Sequence, residues 1–146
     1  MKKIIYSDEM ENYLADSVGN CFQESAKENY DSYNFAKEFL NSNLGESILK
    51  GIYYKAYNSF AYMLDICKDE LNLKKGETYD SYLMWMYGFL VKFWVTHYDI
   101  EPSEIWKILP IDLFYFKFPF YHTQGWYYII EDSTDLYNKK IKGENK

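Results

Sequence analysis

Apolar residues recur along this chain every three or four positions, and no segment shows several turn-bounded runs of strict alternation. That spacing predicts an all-α chain of six or seven helices. The first runs from Asp8 to about Glu28, with Ser7 as N-cap and Met10, Leu14, Val18, Cys21 and Phe22 on one face. Asp31 or Ser32 caps a second, shorter helix carrying Phe35, Phe39 and Leu40, closed by Asn41 to Gly45. A third stripe, from Ile48 through Ile52, Ala56, Phe60, Met63 and Cys67 to Leu71, reads as one continuous helix.

The fourth helix, about 79–98, differs in kind. Leu83, Met84, Trp85, Met86, Tyr87, Phe89, Leu90, Val91, Phe93, Trp94 and Val95 surround it on nearly every side, which marks the central helix of a domain. Lys92 interrupts the run, and the run is shorter than the roughly 20 apolar residues a membrane span needs. Pro102 opens a fifth helix, Pro110 starts a segment from Ile111 to Phe118 that Pro119 ends, and Thr123 caps a last helix. The aromatic stretch Leu113 to Tyr121 is the one place where a strand could fit. Residues 1–138 are expected to form a single all-helical domain, with 139–146 a polar, lysine-rich, frayed tail. Trp85, Trp94 and Phe60 are expected to be buried, since they sit on the two most apolar stripes.

Charge changes the picture. The chain has no arginine: its 16 basic residues are all lysine, against 22 Asp and Glu. Lys2, Lys3, Lys139, Lys140, Lys142 and Lys146 lie at the ends, so Ile4 to Asn138 holds ten Lys against twenty-one acids, a net of −11. A body this acidic repels a phosphate backbone, and it lacks the side chain that forks onto phosphate. Direct nucleic-acid binding is therefore excluded as an expectation, as is a membrane span. Met1 to Ile5 lacks the apolar core of a signal peptide, and the cysteines, Cys21 and Cys67, form no CxxC. Reduced, buried thiols in a cytoplasmic protein are the expectation.

Catalytic signatures are weak. His97 ends the fourth helix, where a cation suits the dipole. His122 sits in a Pro-Phe-Tyr-His-Thr turn with no flagged nucleophile beside it. The pairs Asp65/Asp69 and Glu101/Glu104 each share a helix face, which a two-carboxylate mechanism could use and a solvated face explains equally. No metal-ligand spacing and no phosphate-cradling glycine loop occurs, so no metal or cofactor is expected.

What remains is a surface. Asp8 to Glu46 holds nine acids and two lysines, net −7. Within it Glu24, Glu28 and Asp31 follow i, i+4, i+7 spacing, interleaved with Tyr30 and Tyr33. Tyrosine supplies rigid contact area and acids supply steering, so these five are the candidate partner-binding residues, facing a basic protein.

Two stretches carry a resemblance. Trp85-Met86-Tyr87-Gly88-Phe89-Leu90-Val91-Lys92-Phe93-Trp94, with Ser103-Glu104-Ile105-Trp106-Lys107 and His122-Thr123, resembles the W-x-G-Y-x-x-R-x-W, S-x-E-I-[YW]-K and H-T segments of certain small bacterial proteins. Those are uncharacterised all-helical proteins of firmicute-type mobile elements. Here Tyr87-Gly88 reverses their order, and Lys92 stands where they carry arginine. The resemblance covers roughly Asp80 to Asp132 and implies a toxin–antitoxin or phage-conflict setting. The expected function is a non-enzymatic inhibitor of antitoxin, immunity or phage anti-defence type. Alternatives are a regulatory or scaffold domain binding a peptide or small apolar ligand, and a helical hydrolase with an unrecognised carboxylate site.

Overall fold

Short polar residues start most of the helices. In the computed structural model, which describes residues 7–144, Ser7 accepts from Met10 N at the start of α1 (Asp8–Lys27), and Asp31 accepts from Asn34 N at the start of α2 (Ser32–Leu40). Ser42 caps α3 (Asn43–Leu49), Ser59 caps α4 (Phe60–Glu70), and Asp80 caps α5 (Ser81–His97) through Tyr82 N and Leu83 N. These side chains satisfy amides that a helix start leaves without a partner. Proline opens α6 (Pro102–Ile108), and Pro110 precedes α7 (Ile111–Tyr121). The chain closes with α8 (Trp126–Glu144). Helix accounts for 77% of the structure, no strand occurs among the described residues, and the chain forms one all-α domain.

The predicted third helix is not continuous. Gly51 adopts φ +77°, a left-handed conformation that glycine takes without penalty, and it ends α3. A 3₁₀ segment, Tyr54–Asn58, follows, and Ser59 is extended at φ −161° before α4 begins. The buried Tyr57 hydroxyl donates to the Ile48 carbonyl at 2.7 Å and ties this bend to α3. The break resets the helical phase, so Ile52 and Phe60 are 53% and 40% exposed where an unbroken stripe would bury them. Trp94 is buried as expected, and Trp85 is half-buried.

Leu113 to Tyr121 is helical, not extended, and α7 runs through Pro119. His122 Nδ1 donates to the Phe118 carbonyl at 2.8 Å and the Tyr121 hydroxyl donates to Asp132 at 2.6 Å, holding the last turn in place. The last helix starts at Trp126, not Thr123. It runs through much of the segment expected to be a polar tail, as far as Glu144. Lys2, Lys3 and Lys146 lie outside the described residues.

Helix α5 is the centre. Leu83, Met84, Met86, Tyr87, Phe89, Leu90, Val91 and Trp94 are all buried, on every side of the helix. It lies antiparallel to α1, with Gly88 at the crossing. A Cβ on Gly88 would stand 2.8 Å from the Val18 carbonyl oxygen and 2.9 Å from the Gly19 Cα, closer than real Cβ atoms come. Phe22 of α1 meets Phe35 and Phe39 of α2 edge-on, with ring centres 5.0 Å apart in both cases.

Lys92 is buried in this core. Its Nζ donates to the Leu49 carbonyl at 2.8 Å and lies 5.8 Å from the centre of the Tyr57 ring. Burial lowers its pKa to about 8, against the opposing pull of Glu11.

Two outcomes test this packing. Gly88→Ala is expected to lose about 1–3 kcal/mol in urea unfolding despite alanine's better helix propensity, because the added methyl meets backbone. Unchanged stability would show that α1 can slide away. For Lys92, the unfolded pKa of 10.5 exceeds the folded value of about 8, so between them the unfolded chain binds more protons. Lys92 therefore carries its full burial cost below the lower value and adds stability as pH rises through this window. Relative to Lys92→Met, which cannot titrate, the wild type is expected to gain about 2 kcal/mol between about pH 7.5 and about pH 9.5. A pH-independent difference would mean that Nζ is solvated.

Candidate functional site

The segment between α4 and α5 reaches the turn between α1 and α2 and is fastened to it. Asn29, at φ +66°, turns the chain out of α1. Asp31 N then donates to the Lys74 carbonyl at 2.8 Å, Ser32 N to the Glu77 carbonyl at 3.0 Å, and Gly76 N to the Asn29 carbonyl at 3.1 Å. The buried Ser32 hydroxyl accepts from Tyr79 N at 2.9 Å. Lys75 Nζ donates to the Glu28 carbonyl at 2.6 Å and sits 3.9 Å from the Tyr30 ring centre, a cation–π contact.

This fastening divides the predicted acidic surface in two. On one side Glu28 forms an ion pair with Lys68 at 2.5 Å, and Tyr30 lies between Lys75 and Lys68. Charge there is balanced within the chain. Glu24 lies a turn earlier on α1, half-buried. On the other side Asp31 and Tyr33 line a cleft of about 500 Å³ together with Glu77, Tyr79, Asp80 and Tyr115. No lysine lines it. The structure thus brings together two of the five predicted residues, Asp31 and Tyr33, and leaves Glu24, Glu28 and Tyr30 outside the cleft.

Glu77, Tyr79, Asp80 and Tyr115 were not singled out from sequence. The signal was present in Glu77-Thr78-Tyr79-Asp80, which repeats the acid–tyrosine mixture of Asp31 to Tyr33. Tyr115 comes from α7, and nothing in its local sequence points toward α2.

Tyr79 and Tyr115 stack with ring centres 4.8 Å apart and planes 16° off parallel, forming one wall. Tyr33 packs edge-on against Trp106 at 5.3 Å. The Tyr79 hydroxyl is held above its ordinary pKa, by burial first and then by the negative charges of Asp112, Glu77 and Asp31. The cleft is thus a region of negative potential between aromatic faces. Such a site suits a cation, which gains both from carboxylates and from ring quadrupoles.

Comparison with protein-family models, curated proteins and solved structures finds no match to this chain.

The other candidates from sequence go to structural contacts. His97 Nε2 is 3.5 Å from Glu11, and its ring packs against Phe93 and Tyr127. Glu101 accepts from Lys50 at 2.8 Å, and Asp65 pairs with Lys68 at 3.6 Å. Cys21 and Cys67 are buried free thiols that meet side by side, and burial, then its partner thiol, pushes Cys21 well above the usual range. No group of His, Cys, Asp and Glu among the described residues is placed to hold a metal ion, and no helix among them is long and apolar enough to cross a membrane.

Ser32 ties the backbone of Tyr79, which lines the cleft, to the start of α2. Ser32→Ala leaves the Tyr79 amide without its acceptor and is expected to cost about 1–3 kcal/mol of stability, with faster amide exchange at Tyr79. If exchange at Tyr79 is unchanged, the loop is fixed by its other bonds alone.

Proposed function

We propose that this protein is a non-enzymatic inhibitor that binds a basic partner protein, with the acidic, tyrosine-walled cleft receiving a lysine or arginine side chain of the partner's functional site. The cleft carries this reading: Asp31, Glu77 and Asp80 converge with Tyr33, Tyr79 and Tyr115, and among the described residues no cation lines it. The body's net of −11 steers a basic surface toward the molecule, and the cleft offers a place for it to anchor. A partner that uses its cation on phosphate or nucleic acid would lose that use when bound here. The mobile-element resemblance suggests a toxin, nuclease or defence protein as that partner, with this chain acting as antitoxin, immunity or anti-defence factor in the bacterial cytoplasm.

The cleft's volume, about 500 Å³, also falls within the range of small-ligand sites. That supports a second reading, a regulatory domain that binds a cationic peptide. The hydrolase reading has less support, because Glu101 and Asp65 are both engaged by lysines.

The test leaves Asp31 and Glu28 untouched, since one caps α2 and the other pairs with Lys68. In Glu77→Lys with Tyr115→Ala, both altered side chains are exposed and neither caps a helix. Titration of the wild type with a tetralysine peptide is expected to shift the Tyr79 and Tyr115 resonances, and this variant is expected to remove the effect. A protein captured from the native source and then purified should be basic and should associate more slowly as salt rises. The variant should weaken that complex by about tenfold or more. A partner held equally well by the variant would place the interface elsewhere, and a partner of acidic charge would end the inhibitor reading.

A further inference from the structure

Tyr30 shows how this protein holds an ammonium group. Lys75 Nζ lies 3.9 Å from the Tyr30 ring centre and donates to the Glu28 carbonyl at 2.6 Å. Lys68 Nζ lies 5.9 Å from the same ring and pairs with the Glu28 carboxylate. Each ammonium is met by one ring and by oxygens close at hand, and a compact point charge needs no more.

The cleft is built differently. Its acids come from three places: Asp31 at the start of α2, Asp80 at the start of α5, and Glu77 in the loop before it. The capping bond at Asp31 goes to Oδ1 and those at Asp80 go to Oδ2, so each carboxylate keeps its second oxygen outside the cap. A Cβ on Gly76 would stand 2.6 Å from the second oxygen of Asp31, so only glycine leaves that oxygen room. Glu77 is exposed and caps nothing. The aromatic wall is double. Tyr79 is half-buried and Tyr115 is 55% exposed, which makes Tyr115 the outer ring of the stack. Among the described residues no further ring packs on Tyr115, so the stack ends in a flat face that another planar group can extend.

A guanidinium is such a group. It is planar, stacks on aromatic faces, spreads five N–H donors over separate acceptors and is more weakly hydrated than an ammonium. An ammonium gathers its three donors at one point and cannot lie flat on a ring. We propose that the cleft selects arginine over lysine: an arginine of the partner lays its guanidinium on the Tyr115 face and forks onto Glu77. The second oxygens of Asp31 and Asp80 then take its remaining N–H groups, directly or through water. This rests on the reading of the cleft as the anchor for a basic partner. The chain itself has no arginine, so neither a neighbouring loop nor a second copy can fill the cleft in this way. Lys75, two residues from Glu77, is already engaged at Tyr30.

Blocked tetra-arginine and tetralysine peptides, equal in charge, test this when titrated at one salt concentration and followed at the Tyr79 resonances. Tetra-arginine is expected to bind with a dissociation constant about tenfold or more below that of tetralysine. Tyr115→Leu keeps apolar bulk at an exposed position and removes the ring, and it should bring the two peptides to equal affinity. Glu77→Gln should weaken both. Equal affinity in the wild type would overturn the arginine preference and leave the cation site standing, whereas binding of neither peptide would end both readings. A preference that survives Tyr115→Leu would belong to the acidic body at large and would overturn the proposal too. So would a Glu77→Gln variant that binds tetra-arginine as the wild type does.

Discussion

The fold depends on one close approach, the crossing of α1 and α5 at Gly19 and Gly88. A methyl at either position would collide: Gly88 faces the Val18 carbonyl and the Gly19 Cα, and Gly19 faces the Trp85 carbonyl and indole. With no side chain between them, the two backbones come together and the crossing is fixed in register as well as in distance. The contacts on either side follow from that register. At the crossing Asp16 accepts from the Trp85 indole at 2.8 Å, and toward the end of α1 Gln23 reaches the Ser81 carbonyl at 3.4 Å. Toward the other, Glu11 stands by His97. The antiparallel pairing brings the end of α1 beside the start of α5. The α1–α2 turn and the segment leading into α5 are thereby made neighbours, and the cleft forms between them.

The central role of α5 was legible in its sequence because an apolar residue at almost every position admits only a buried helix. Its one cation, Lys92, was legible as an interruption but not as a structural link. It reaches the Leu49 carbonyl, one of the orphan acceptors at the end of α3, and that acceptor exists only because the chain breaks there. The break itself was hidden. In sequence Ile48 to Leu71 keeps helical spacing across Gly51, and that spacing carries no sign that the folded backbone bends there and resets the phase. Gly51 was the only mark, and its left-handed backbone is a property of the fold and not of the pattern. Phe60 was misplaced for the same reason. Pro119 misled in the other direction: the Tyr121 and His122 side chains hold a last turn that local propensity alone would have given up.

The candidate site was half legible. Acid–tyrosine mixing near Asp31 pointed to the correct neighbourhood, yet spacing on α1 favoured Glu24 and Glu28. Helical spacing shows which residues share a face but not what faces them. Lys68, forty residues on, balances Glu28, and Lys75 covers Tyr30. The acids that line the cleft are brought together by the loop, from segments that sequence distance keeps apart.

Of the three acids around the cleft, Asp31, Glu77 and Asp80, two serve the helices as well. Asp31 caps α2 and Asp80 caps α5, so each accepts backbone N–H groups at the positive end of a helix dipole. Their charge is fixed in place by the same bonds that start the helices. Glu77 caps nothing and is exposed, with the stacked Tyr79 and Tyr115 rings lining the same cleft. A cation entering the cleft would therefore draw chiefly on Glu77 and on the ring faces, while the two caps supply a fixed background field. This division lets the protein hold an acidic site at little cost to its own stability, because the carboxylates that create most of the field are the ones the helices already require.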